Sequence, residues 1–269
     1  MKKLLSYALM SLLLISLLAA CGQGGTKDTE QTADNTGSDA TETKVLKLGT
    51  SADFPPFEFV DTAKGEDIIG FDIDLANAIT EKLGYELEIQ DMDFAGLIEA
   101  LKSNRVDIVL SGMSATDERR ESVDFSDIYY SADQMIVFSN EAPFKSVEEL
   151  AGKTVGVQTA SIQEDKANEI KETTDIKIES RNRVPEIVQE LKAGRFDAII
   201  LEDAIAKGYL DKNKDLAGFT LEGDEENGFA IAFPKGNDEL VAEFNKVIGE
   251  MKENGELEQL AVKWFGGEQ

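Results

Sequence analysis

The 269-residue chain has no histidine and a single cysteine, Cys21. Those shortages exclude Ser-His-Asp and Cys-His nucleophilic catalysis, zinc sites built on imidazole or thiolate, and any disulfide within the chain. Cations are scarce as well: Lys and Arg total 27 against 53 Asp and Glu, a formal net charge of −26. Nucleic acid is therefore not an expected partner, because phosphate contacts require basic side chains. Carboxylate chemistry and plain binding remain, on a chain that is 42% apolar and long enough to bury a core. No cofactor and no metal is implied.

The long apolar run, Leu4 to Leu18, follows Lys2-Lys3 and precedes Ala19-Ala20. A positive start, an apolar stretch short for a membrane span and small residues at its end predict a signal peptide over 1–20. Leu18-Ala19-Ala20-Cys21 resembles a bacterial lipobox, which implies lipidation of Cys21, with acyl chains such as palmitate holding the chain on the cell membrane. Residues 22–43 hold nothing apolar larger than Ala and predict a flexible tether of roughly 25 Å reach.

From Val45 onward the pattern alternates strand and helix. Val45–Leu48 reads as a strand, Asp72–Leu83 as a helix stopped by Gly84, Tyr85, Leu87 and Ile89 as a half-buried strand, and Phe94, Leu97, Ile98 and Leu101 as one helical face. That order predicts an α/β lobe with a largely parallel sheet. Leu101-Lys102-Ser103-Asn104-Arg105-Val106-Asp107 then matches Leu191-Lys192-Ala193-Gly194-Arg195-Phe196-Asp197 at one constant offset. Two amphipathic helices before strands could match by chance, but two related lobes are the simplest reading. Capping boxes are expected at Ser146 and Ser161, a helix start at Pro185, and a strand over Phe229–Phe233 that returns to the first lobe.

Val106–Leu110 is a buried-strand run that ends in Ser111-Gly112-Met113-Ser114, with Thr116 placed to cap a short helix that carries Arg119. A guanidinium beside hydroxyls and backbone amides suits a carboxylate. In open parallel sheets ligands bind beyond the carboxyl ends of strands, so the repeat sets Glu202-Asp203 opposite this segment. A cation facing an anion is a receptor for a zwitterion such as an α-amino acid.

GTSADFPPFEF, GFDIDLANAI, DFAGLIEALKSNRVDIVLSGMSATDERRESVDFSDIYY, GVQTASIQE and RFDAIILEDAIA together resemble the polar amino acid-binding proteins of ABC importers, solute-binding protein family 3. The likeness runs from about Val45 to the C-terminus. It implies a two-lobed type II periplasmic-binding-protein fold with a two-strand hinge, lobe one spanning 44–135 and 230–269 and lobe two 136–229. It implies that Arg119, Ser114 and Ser161 hold the ligand carboxylate, that Glu202 and Gly112 hold the ammonium, and that Phe54, Phe94 and Ser51 meet the side chain. It also implies a monomeric, extracytoplasmic receptor that hands an amino acid to an ABC permease. Two aromatic walls and an acidic protein favour arginine or lysine, while Ser51, where many relatives carry Asp, leaves glutamine open.

Each residue has a plainer role beside it. Arg119 could pair with Glu118 or Glu121, Phe94 shares a helical stripe with Leu97 and Leu101, and Glu202 or Asp203 could cap the next helix. A cyclohexadienyl dehydratase on the same fold, with Glu202 or Asp203 as the acid, and a ligand-sensing module are the alternative functions.

Overall fold

The structure is a computed structural model that describes residues 44–63, 65–221 and 228–266. The expected signal peptide, Cys21 and the tether lie outside them. The first stretch runs β1 (Lys44–Thr50), β2 (Asp53–Phe54), β3 (Glu58–Val60), β4 (Ile68–Ile69), α1 (Phe71–Leu83), β5 (Tyr85–Asp91), α2 (Leu97–Lys102), β6 (Ile108–Val109), α3 (Asp117–Ser122) and β7 (Val123–Phe125). The middle adds β8 (Gln134–Ser139), β9 (Thr154–Gln158), α4 (Ile162–Thr173), β10 (Lys177–Arg181), α5 (Val184–Lys192), β11 (Ala198–Glu202), α6 (Asp203–Lys212) and β12 (Leu216–Thr220). The chain closes with β13 (Ala232–Pro234), α7 (Asp238–Glu253) and α8 (Glu256–Phe265).

Two five-stranded sheets carry the two lobes, in the orders β5-β1-β6-β13-β7 and β10-β9-β11-β8-β12. The first draws on both ends of the described chain and the second on its middle. In each, three parallel strands are followed by one reversed strand, β13 or β8, and a last strand that restores the direction. The sheets are parallel-rich, as the α/β alternation requires. The two chain crossings lie side by side, with Tyr129 N–H donating to Phe229 O at 2.9 Å and Phe229 N–H to Tyr130 O at 2.8 Å. They form the two-strand hinge.

The repeat seen in sequence is a repeat of geometry. Asp107 exchanges two bonds with Lys47, its N–H donating to Lys47 O and its Oδ2 accepting from Lys47 N–H, both at 2.8 Å. Asp197 does the same with Thr154 at 2.9 Å each way. Val106 and Phe196, also equivalent, each lean on a strand glycine: a Cβ on Gly49 would stand 3.2 Å from Val106, and one on Gly156 would stand 2.2 Å from Phe196.

Local differences from the sequence pattern have physical causes. Gly84 ends α1 at φ 76 as expected. The helix at Phe94 opens as a 3-10 turn, Phe94–Gly96, before α2. Ser146 caps no α-helix: Val147–Leu150 is a 3-10 turn, and Glu149 reaches back to Lys145 N–H at 2.8 Å instead. The returning strand is shortened to β13, because Phe229 makes isolated bridges to Ser114 and Tyr130. The stretch after β1 forms a third sheet, β2-β3-β4, that the sequence pattern does not announce.

Candidate functional site

β6 and β11 are the equivalent central strands, and the residues beyond their carboxyl ends line one cavity. The structure brings together Ser51, Phe54, Phe94, Gly112, Ser114, Arg119, Ser161 and Glu202, all of the predicted ligand-binding residues.

On lobe one, Gly112 has φ 50, and a Cβ there would stand 2.8 Å from the Phe54 ring, so the turn needs glycine on both counts. Its N–H donates to Asp72 Oδ2 at 2.9 Å, which leaves only its carbonyl for a guest. Ser114 Oγ is buried and has no partner, an open position for an anionic oxygen. The Thr116 hydroxyl caps α3 by accepting from Arg119 N–H at 3.3 Å. Arg119 then extends over the Phe94 ring, its Cζ 5.4 Å from the centroid. Its Nη1 donates to Ser114 O and its Nη2 to Ala160 O on lobe two, each at 2.9 Å. Burial pulls the guanidinium below its usual value, while Asp165, Glu202 and Glu118 pull it back up.

On lobe two, Ser161 is the N-cap of α4: its hydroxyl accepts from Glu164 N–H at 3.3 Å and donates to Gln158 O at 2.7 Å. Ser161 therefore presents the opening of a helix, whose first amides lack intrahelical acceptors and favour an anion. Glu164 Oε2 accepts from Ala160 N–H at 2.7 Å, one residue earlier than a reciprocal capping box would have it. Glu202 ends β11 with 4% of its surface exposed, and burial pushes its carboxyl up to about 7, with Gln163 and Arg119 opposing. Asp203 instead accepts from Lys207 Nζ at 2.7 Å and faces a separate groove. Of the two acids, Glu202 belongs to the cavity.

The sequence pattern does not single out Asp53, Glu58, Gln158 or Gln163, which line the same space. Ser51 N–H donates to Ser111 Oγ, and Ser111 donates to Glu58 Oε1, both at 2.9 Å. Burial pushes Asp53 up to about 6 and Glu58 well above the usual range. Asp53 and Glu58 lie on the short paired strands β2 and β3, Asp53 opposite Phe59 and Glu58 opposite Phe54, and both are buried by the packing around that ribbon, which leaves no period-two mark in the sequence.

The lobes touch across the cleft. Asp53 Oδ2 accepts from Val184 N–H at 3.0 Å, and Arg183 bonds Asp91 and Asp93 at 2.9 Å each. Together with Arg119 and Ala160 these contacts describe a closed cleft. Among the described residues no acidic group is arranged to hold a metal ion, and no helix is long and apolar enough to cross a membrane.

Comparison with known proteins agrees with this geometry. The family model of the bacterial extracellular solute-binding proteins, family 3, matches residues 46–267. The arginine-binding extracellular protein ArtP of Bacillus subtilis (strain 168) is 50% identical over 253 residues, 93% of each chain. A solved ancestral arginine-binding protein bound to arginine is 40% identical, with a TM-score of 0.78 over 82% of this chain and 98% of its own. The ancestral amino acid-binding protein AncCDT-1, a precursor of cyclohexadienyl dehydratase, is 34% identical, with a TM-score of 0.75 over 82% and 95%. A two-lobed α/β frame with its cavity between the strand ends, matched over nearly its whole folded length, makes this chain a member of the bacterial extracellular solute-binding proteins, family 3.

Proposed function

We propose that the chain captures an L-amino acid with a cationic side chain, arginine first, in the cleft and delivers it to an ABC importer of the cell membrane. Arg119, the unpartnered Ser114 hydroxyl and the start of α4 take the carboxylate; Glu202 and the Gly112 carbonyl take the ammonium. The observation that carries the choice of ligand is the carboxyl pair Asp53 and Glu58 in the same cavity, which supplies the negative charge that Ser51 lacks. A guanidinium is the natural partner of such carboxylates. The arginine-binding names of the B. subtilis relative and of the arginine-bound ancestral protein support the same choice. Phe54 flanks the ligand side chain, and Phe94 does so while supporting Arg119.

The receptor is monomeric, its lobes span 44–135 with 230–269 and 136–229, and Cys21 carries the lipid that tethers it to the outer face of the membrane after removal of residues 1–20. Palmitate labelling lost in Cys21→Ala supports the anchor; labelling retained refutes it. Calorimetric titration of the purified protein with the twenty amino acids should show arginine binding tightest, and the reading fails if no cationic amino acid binds. Catalysis is not part of this function: incubation with prephenate or arogenate should yield no product, and product formation would overturn this.

A further inference from the structure

Behind the Ser111-Gly112 turn, Glu58 of β3 and Asp72 of α1 form a carboxyl pair with no exposed surface. One oxygen of each is occupied. Glu58 Oε1 accepts from Ser111 Oγ at 2.9 Å, and Asp72 Oδ2 accepts from Gly112 N–H at 2.9 Å and from Tyr129 O–H at 2.8 Å. The other oxygens, Glu58 Oε2 and Asp72 Oδ1, have no donor. Two buried carboxylates without a cation repel one another, and the arrangement is relieved when Glu58 carries a proton and donates it to Asp72. The groups that face the pair are themselves acidic: Asp53 from β2 and Tyr129 from the crossing between the lobes. Arg183 acts on Asp53 and is already held by Asp91 and Asp93. Burial is the leading reason that Glu58 lies well above its usual range and that Asp72 is raised to about 6.

We infer that the Glu58–Asp72 pair holds one proton in the free protein and releases it to solvent when a cationic side chain enters beside Glu58, so that capture of the cation is coupled to proton release. The inference rests on the arginine reading above. The charge balance is simple: the pair begins as a neutral acid and a carboxylate and ends as two carboxylates, with the guanidinium beside Glu58 offsetting the added charge and the proton passing to buffer. A neutral isostere of arginine has no charge with which to displace the proton, so citrulline leaves the pair protonated.

Calorimetry at about pH 7 in two buffers of different ionisation enthalpy counts the protons released on binding. Arginine should release about one proton more than citrulline, and Glu58→Gln should abolish the excess. Glu202 also titrates near this pH, but it meets the ammonium of both ligands and cancels in the difference. Equal proton counts for the two ligands, or an excess that survives Glu58→Gln, overturn the inference. Should citrulline bind too weakly to titrate, the pH slope of arginine affinity replaces it. Between about pH 5 and 7 the wild type tightens by up to roughly tenfold per unit more steeply than Glu58→Gln, and equal slopes overturn the inference. A protein that binds no arginine at any pH sinks the arginine reading itself, whereas arginine binding without proton release sinks only the coupling.

Discussion

Lobe one ends its central strand β6 in the loop Ser111-Gly112-Met113-Ser114, whereas lobe two ends the equivalent strand β11 directly in a helix, at Glu202-Asp203. Below those ends the lobes are built alike, with the same strand order, the same Asp exchanging two bonds with the neighbouring strand, and a glycine making room for a leaning side chain. The shared frame delivers two strand ends to one cleft. The ends differ in what they present to the cleft: one side offers a cation and an unpaired hydroxyl and the other a buried acid, the asymmetry on which the proposed receptor function rests. A frame that is repeated costs little new sequence; specificity then resides in the few residues where the repeat is broken.

Removing the lobe-one cation should have the largest effect. Arg119→Ala is expected to weaken arginine binding roughly 100-fold or more by titration calorimetry, since charge-assisted bonds worth ~1.5–3 kcal/mol each are lost together with the link to Ala160. Glu202→Gln, on the other side, keeps the shape and removes the charge. Its expected loss is roughly 10- to 100-fold, and an unchanged affinity would mean that the ammonium is held elsewhere.

The frame can be tested apart from the site. Gly156→Ala drives a methyl to 2.2 Å from the Phe196 ring and should destabilise the protein by ~1–3 kcal/mol in urea melts. Gly49→Ala meets the smaller Val106 at 3.2 Å and should cost less than Gly156→Ala. The reverse order would show that the lobes are packed less alike than their hydrogen bonds suggest. The smallest effect belongs to Arg183→Ala, which removes the half-exposed bridge to Asp91 and Asp93. Binding should weaken by no more than ~1 kcal/mol and more at low salt, as fluorescence titration at two ionic strengths would show.

Much of this was legible in the sequence because it depends on local pattern. The α1 stop at Gly84, the Thr116 cap and the repeat around Asp107 and Asp197 each leave a short-range mark. Arg119, Ser114 and Glu202 could be placed because the repeat aligned two strand ends. Asp53 and Glu58 could not, since their inward orientation depends on β2 and β3, strands of two and three residues. Nor could sequence show that the Gly112 N–H is taken by Asp72, whose position at a helix start suggests only a favourable charge against the helix dipole. In the fold Asp72 is fully buried, and long-range packing decided its role.

A crystal structure of the protein with L-arginine would test the division of labour between the lobes most directly. The carboxylate should lie on Arg119 and Ser114, the ammonium on Glu202, and the guanidinium beside Asp53 and Glu58. An arginine bound the other way round, with its guanidinium on Glu202, or bound outside the cleft, would contradict it.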